Sequence, residues 1–333
     1  MPYTYQHVND VRSPYQYMNY LSNIINNYGN PFVSATYYPF FGEHVDNPDE
    51  GSAVDGSDYF KHLALNRYVA KETGKPLWTF VQAGDSFELA PDDNCNISLG
   101  TSGTVFISSD KFSVDKNNAL HSFCHANGDY HLMACILSAA SCNKWFCEEI
   151  LNTTDYNKEQ YPITDDDLGR NDVFFLPYLM GERSPINDTD ARGTFIGMRM
   201  DTKRKDMFLA VLEGVAFAIR DNFEIAKEQN ININCSSLCG GGAKSELWQK
   251  ILCNILNVDI ALLQTEQGPG YGATMLAMVG CGEFQSVKEC VNAFVKVKNT
   301  ITPEPEIVAR YEQQYSKFKE IYPSLKNTFK KIK

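Results

Sequence analysis

The spacing of apolar residues changes along this chain and marks out two kinds of text, residues 1–91 and 95–333. In the first, an amphipathic stretch at 15–25 precedes a short apolar run, PFVSATYYPF, and then an acidic, glycine-containing loop over 42–57. The run DYFKHLALNRYVAKETG predicts a helix ending at Gly74, a residue suited to a helix C-terminus. KPLWTFVQAG reads as a second strand. Strand, helix, strand is the rhythm of a parallel α/β sheet, but two strands and two helices close no barrel. Residues 1–91 therefore read as a partial α/β segment.

The sequence APDDN, residues 90–94, breaks that pattern, and β-hairpins follow. NISLGTSGTVFISS predicts two short strands about a Gly-Thr-Ser-Gly turn. HSFCHANGDYHLMACILS predicts another pair about Asn127-Gly128-Asp129, since Asn-Gly is a strong hairpin signal. A helix over about 138–151 and a strand, DVFFLPYL, come next, then a loop holding GERSPINDTDARG. A long helix over 203–229 carries Met207, Val211, Val215 and Ile219 at four-residue spacing. Strand CSSLCGGG, helix SELWQKILCNILN, strand VDIALLQ, helix GYGATMLAMVG and a charged helix from Pro305 complete the order.

Composition narrows the functional classes. The chain is 43% hydrophobic and 21% charged, with a net charge of −11, as in an ordinary soluble globular protein. An acidic chain argues against general binding of nucleic acid or anionic membrane, while leaving room for a local basic pocket. The ten cysteines lack metal-ligand spacing and sit mostly in apolar runs, which favours buried free thiols in a reducing cytoplasm. No signal peptide and no span of eighteen apolar residues is read.

Three glycine-rich turns carry the candidate chemistry. Gly100, Thr101, Ser102 and Gly103 form a hairpin turn, which is either only a turn or a set of amides and hydroxyls that a phosphate can approach. Gly240, Gly241, Gly242, Ala243, Lys244 and Ser245 lie directly between a strand and a helix. There they make either a tight turn with Ser245 as N-cap or a nucleotide-facing loop; they match neither a Rossmann fingerprint nor a P-loop. Gly268, Gly270 and Gly272 precede the next helix, where small residues favour close packing. His125 and His131, on the second hairpin, read as structural because nothing pairs them with a nucleophile.

Taken together, these stretches resemble the FGGY family of carbohydrate kinases, most like its xylulokinase branch. RGTFIGMRMDTKRKDMFLAVLEG resembles the second family signature, with Gly193, Phe195, Ile196, Gly197, Asp206, Met207 and Ala210 to Glu213 in place. SLGTSGTVF, FLPYLMGERSPINDTDARG, EGVAFAIRDN and CGGGAKSELWQKIL resemble family segments, in the family's order. The resemblance covers about 95–333 and implies an actin-like ATPase (ribonuclease-H-like) C-terminal kinase domain. It implies ATP and Mg²⁺ as cofactors, a ketopentose such as D-xylulose as acceptor, and cytoplasmic localisation. Its partners would be ATP and a small sugar, with no nucleic acid and no membrane; a homodimer is left open. By the same resemblance Gly100, Thr101, Ser102 and Gly103 would face the phosphates. Gly240, Gly241, Gly242 and Ala243 would flank adenosine, with Glu246 near the purine. Glu182 and Arg183 would lie in a loop facing the substrate cleft; the alternative for that pair is a salt bridge within the loop.

The family's N-terminal kinase half is not found before residue 95. Its general base is an aspartate that takes the proton of the attacking sugar hydroxyl. The nearest candidate here is Asp85 in QAGDSFELAP, which lacks the small-residue helix expected after it. Residues 1–91 instead resemble a fragment of a TIM-barrel glycoside hydrolase, through VSATYYPFFGE and the W-x-F-x-Q strand. Glu43 and Asp46 there are read as a solvated acidic loop rather than a catalytic pair. The expectation is a chimaeric chain, with a non-catalytic nucleotide-binding remnant as the alternative to a working kinase and a hydrolase fragment as the third reading.

Overall fold

The computed structural model describes residues 95–332 apart from 110, 118, 126–128 and 265–268. The expectations for residues 1–91, and for Asp85, lie outside the described residues.

Two hairpins open the described chain. Strands β1 (Cys95–Leu99) and β2 (Gly103–Ser109) pair antiparallel, with Leu99 opposite Gly103. Strands β3 (His121–Cys124) and β4 (Tyr130–Ile136) pair the same way, and β4 also lies along β2. Helix α1 (Ala140–Trp145) runs on as a π-helical turn to Ile150, and a one-turn helix α2 (Tyr156–Gln160) follows, N-capped by Asp155. Of the expected strand DVFFLPYL only β5 (Phe174–Leu176) is regular, paired with β6 (Thr194–Ile196) in a separate ribbon. Pro177 closes β5, as a residue without a ladder N–H must.

Helix α3 (Arg204–Glu228) is the long helix expected, started by Asp206, whose Oδ2 accepts the Lys203 N–H at 2.8 Å. Its buried face is wider than the four-residue spacing predicts: every residue from Phe208 to Arg220 is buried. The reason is that α3 is covered on several sides. Gly214 crosses β5 so closely that a Cβ there would lie 2.2 Å from the Phe175 carbonyl oxygen. Helix α4 (Glu246–Leu256) packs alongside, with Trp248 Nε1 donating to the Leu212 carbonyl at 3.0 Å. The aromatic face of α7 (Pro305–Phe329) closes another side, setting Tyr315 and Phe318 against Phe217. Each large side chain removed from water here contributes about 1.5–3 kcal/mol.

Strands β7 (Cys235–Cys239) and β8 (Asp259–Leu263), joined through α4, add to the sheet in parallel. Helices α5 (Pro269–Gly280) and α6 (Val287–Phe294) lead to β9 (Val297–Ile301), antiparallel to β8. The seven strands lie in the order β3-β4-β2-β1-β7-β8-β9. The central strand β1 is thus paired on both edges, and its residues are almost wholly buried. His131 is buried and stacked on Phe106 and Phe123, with ring centroids 4.4 and 5.2 Å away, a structural placement as expected.

Candidate functional site

The parallel pairing of β1 with β7 decides where the two glycine turns go. Ser98 pairs with Cys239, so the turns at 100–103 and 240–244 leave the sheet side by side. Gly240 makes that approach sterically possible. Its φ is +95° and its ψ 175°, a region open essentially to glycine, and a Cβ would lie 2.8 Å from the backbone carbon and oxygen of Leu99. Residues Gly241–Lys244 then form a short 3-10 turn, and Ser245 caps α4 by accepting the Trp248 N–H at 3.1 Å.

The first turn is clamped from behind. Ala140 N–H donates to the Gly100 carbonyl at 2.8 Å, and Ala139 and Ser141 N–H donate to the Thr101 carbonyl at 3.0 and 3.3 Å. In a trans peptide the N–H points opposite to the C=O. The N–H groups of Thr101 and Ser102 are therefore directed away from α1, and both residues are exposed.

Between the turns opens a cavity of about 650 Å³. Gly100 and Thr101 form one part of its wall, and Gly241, Gly242, Lys244, Ser245 and Trp248 another. Ala140, Ser141, Asn143 and Lys144 of α1 and Tyr156, Asn157 and Gln160 of α2 supply the rest. A methyl group at Gly241 would meet nothing within 4 Å, so this stretch of backbone lies open. Two cations line the wall: Lys144, 3.9 Å from Glu148, and Lys244. The Ser141 hydroxyl is buried without a hydrogen-bond partner among the described residues. Amides pointing outward, an unengaged hydroxyl and two ammonium groups are a donor set suited to a polyanion.

The structure thus brings Gly100, Thr101, Gly241 and Gly242 onto one cavity. The other predicted residues lie around it without lining it. Gly103 begins β2, buried against Ala139; Gly240 and Ala243 are spent on packing; Ser102 and Glu246 are exposed beside the two turns.

Glu182 and Arg183 part company, and they form no salt bridge. Arg183 is exposed, and its Nε donates to His121 Nε2 at 3.0 Å. Glu182 is 2% exposed, and its Oε1 accepts the Leu137 and Arg183 N–H groups, each at 2.8 Å. Burial pushes the Glu182 carboxyl up to about 8 against these two hydrogen bonds. The loop is held to β4 by Ser184, whose N–H donates to the Cys135 carbonyl at 3.1 Å. Glu182 thus braces the β4–α1 turn that in turn clamps Gly100 and Thr101.

Sequence reasoning missed the contribution of α1 and α2, namely Ser141, Asn143, Lys144, Tyr156, Asn157 and Gln160. The one local sign was Asp155, whose side chain accepts the Lys158 N–H as a helix cap.

This is an α/β domain with a mixed sheet and flanking helices, of the kind found in the actin-like sugar-kinase superfamily. The C-terminal-domain pattern of the FGGY family of carbohydrate kinases matches residues 95–281. This chain belongs to that family. The xylulose kinase of Lactococcus lactis subsp. lactis (strain IL1403) is 36% identical over 235 residues, 70% of this chain and 46% of that protein. The xylulose kinase of Escherichia coli (strain K12) is 32% identical over 285 residues, 83% of this chain and 57% of that protein. The crystal structure of a xyloylose kinase from Brucella ovis superposes with a TM-score of 0.67 at 33% identity, covering 74% of this chain and 51% of that one. The chain spans about half the length of the curated relatives it matches. A match over 83% of the chain is longer than residues 95–333, so it takes in part of the stretch before Cys95. Nothing in these matches supports the glycoside-hydrolase reading of residues 1–91, which is set aside.

Proposed function

We propose that the chain takes part in transferring the γ-phosphoryl group of ATP to a hydroxyl of a ketopentose resembling D-xylulose, with the described domain holding the nucleotide. The observation that carries this reading is the single cavity on which the Gly100-Thr101 turn and the Gly241-Gly242 turn converge. In this reading the Thr101 and Ser102 amides, the Ser141 hydroxyl and the Lys144 and Lys244 ammonium groups face the phosphates. Their fixed positive ends offset charge on the transferring phosphoryl oxygens, the main task of a phosphoryl-transfer enzyme. Gly241 and Gly242 flank the adenosine, with Gly240 and Ala243 shaping the turn and Glu246 at its edge. Glu182 supports the phosphate turn from behind, and Arg183 stays at the surface of the cleft loop. Asp85 is the proposed base for the sugar hydroxyl.

Among the described residues no group of three or more His, Cys, Asp or Glu side chains could hold a metal ion. The donor set lining the cavity fits a polyphosphate rather than a bare cation. Mg²⁺ is accordingly assigned to the nucleotide it accompanies and to no described side chain. None of the ten cysteines forms a disulfide, which supports a reducing, cytoplasmic setting. No helix among the described residues is long and apolar enough to cross a membrane.

One observation favours a second reading, a domain that binds nucleotide without turning it over: no Asp, Glu or His side chain is among the described residues lining the cavity. ADP release from Mg-ATP, with and without D-xylulose, decides between them, with Asp85→Ala as the control. Xylulose-dependent turnover lost in the control supports the kinase reading and the role of Asp85. ADP binding without turnover leaves the second reading, and absence of any nucleotide binding sinks both.

A further inference from the structure

We infer, resting on the nucleotide reading above, that Glu182 is a positioning residue through which the loop 181–188 sets the phosphate affinity of the turn at Gly100 and Thr101. The reason lies at the end of β4. The β2 ladder stops where Gly103 faces Ile136, and the β3 ladder stops where His121 faces Met133. Along an antiparallel strand the N–H groups of alternate residues point to the same edge. Those of Cys135 and Leu137 point to the edge that β3 no longer covers, and the loop takes them up. Cys135 N–H donates to Ser184 Oγ at 3.1 Å, and Leu137 N–H donates to Glu182 Oε1 at 2.8 Å.

These two bonds have different consequences. Cys135 is still held by the β2 ladder, opposite Thr104. Leu137 lies past it, and the residues that follow, Ala139 to Ser141, carry the N–H groups that hold the Gly100 and Thr101 carbonyls. Glu182 thus anchors the segment that orients the phosphate turn, and the loop in turn fixes Glu182. The backbones of Glu182 and Asp188 exchange hydrogen bonds of 2.9 and 2.8 Å, and Asn187 N–H donates to the Arg183 carbonyl at 2.8 Å. The Tyr322 hydroxyl of α7 donates to Asp188 Oδ2 at 2.6 Å. Glu182 Oε1 accepts both the Leu137 and the Arg183 N–H, while Oε2 is buried with no hydrogen-bond partner among the described residues. An ionised oxygen is costly in such a place, so the proton sits on Oε2 and the carboxyl acts through its other oxygen. The burial that pushes this group up to about 8 agrees with that assignment. Glu182→Gln keeps the working oxygen without a charge and is therefore the conservative variant.

Calorimetric titration of the full chain with ADP and with tripolyphosphate, beside urea denaturation, tests this in three variants. Glu182→Ala should weaken both ligands about tenfold, because what it loosens is the turn that meets phosphate. Glu182→Gln should stay within about twofold of wild type. Ser184→Ala removes an anchor of the same loop that leads to Cys135 and Ala119 and not to the clamp, so it should lose stability with binding unchanged within about twofold. If Glu182→Ala does not fold, Glu182→Asp takes its place; it draws the carboxyl back by about 1.5 Å, and the same tenfold loss is expected. Wild-type affinity in Glu182→Ala or Glu182→Asp overturns the inference. So does an equal loss in Glu182→Gln or Ser184→Ala, which a merely structural role would produce. A wild-type chain that binds neither ligand overturns the nucleotide reading itself.

Discussion

Gly240 and Gly241 are adjacent in sequence, and the structure predicts opposite consequences of adding one methyl group to each. At Gly240 an alanine would be held at φ +95° and ψ 175°. Residues other than glycine occupy such a region at a cost of roughly 1–3 kcal/mol. The new Cβ would also lie 2.8 Å from the Leu99 carbonyl carbon and oxygen and 3.1 Å from the Gly100 nitrogen. These are backbone atoms of the central strand and its turn, so no rotamer change relieves the contact; overpacking of this kind costs roughly a further 1–3 kcal/mol. Together Gly240→Ala should lose roughly 2–6 kcal/mol, a large fraction of the roughly 5–15 kcal/mol that holds a typical domain folded. At Gly241 the same methyl meets nothing within 4 Å, and the backbone φ is not positive. Gly241→Ala should leave stability unchanged or raise it by about 0.4–1 kcal/mol through the unfolded chain. It should instead weaken ADP binding, on the order of tenfold, because the methyl enters the cavity between the turns. Urea denaturation of both variants, followed by ADP titration of Gly241→Ala, tests the pair. A loss below about 1 kcal/mol at Gly240, or a larger loss at Gly241 than at Gly240, would refute the claim that backbone proximity brings the turns together.

Other predictions concern groups the fold has buried. Glu213 lies in the middle of α3, where burial pushes its carboxyl up to about 8 despite hydrogen bonds from the Gly169 N–H and Asn171 Nδ2. A raised carboxyl binds its proton more tightly in the folded state, so its contribution is full below the unfolded value of about 4.3 and is lost as pH rises through about 8. Between those limits each pH unit should cost about 1.4 kcal/mol from this group, and Glu213→Gln should flatten the slope measured by denaturation across that range. Glu182 and Asp221, pushed up to about 8 and about 6 by burial, act in the same direction, so stability should fall from pH 5 to 8 rather than peak near neutrality. Ser245→Ala removes the α4 cap and the anchor of Gln160, and should lower stability by about 1–2 kcal/mol while weakening ADP binding.

Most elements were legible because each rests on local chemistry. Asn-Gly and Gly-Thr-Ser-Gly marked hairpins; Ser245 and Pro305 marked helix starts; the short stretches CSSLC and DIALL on either side of the α4 helix marked β7 and β8. The family signature acquires a physical meaning in the same way. Asp206 starts α3, Glu213 ties the buried helix to residues 169–171, and Gly214 lets it cross β5. What spacing misjudged was the extent of burial on α3, because a helix enclosed from several sides needs no polar face.

The walls of the cavity were not legible. Gln160 meets Ser245 across 85 residues, and a one-turn helix carries no periodicity by which Tyr156 and Gln160 could be recognised as one face. Glu182 and Arg183 are adjacent in sequence yet end as a buried brace and a surface side chain, because the chain's alignment against β4 sends one inward and the other out. The amino-acid sequence by itself determined the two glycine turns and most strands and helices, though not the short α2, β6, α6 and β9, since backbone conformational limits act within a few residues. Only the tertiary structure decided which polar groups face one another across the cavity, because those contacts depend on strand pairing and helix packing between distant segments.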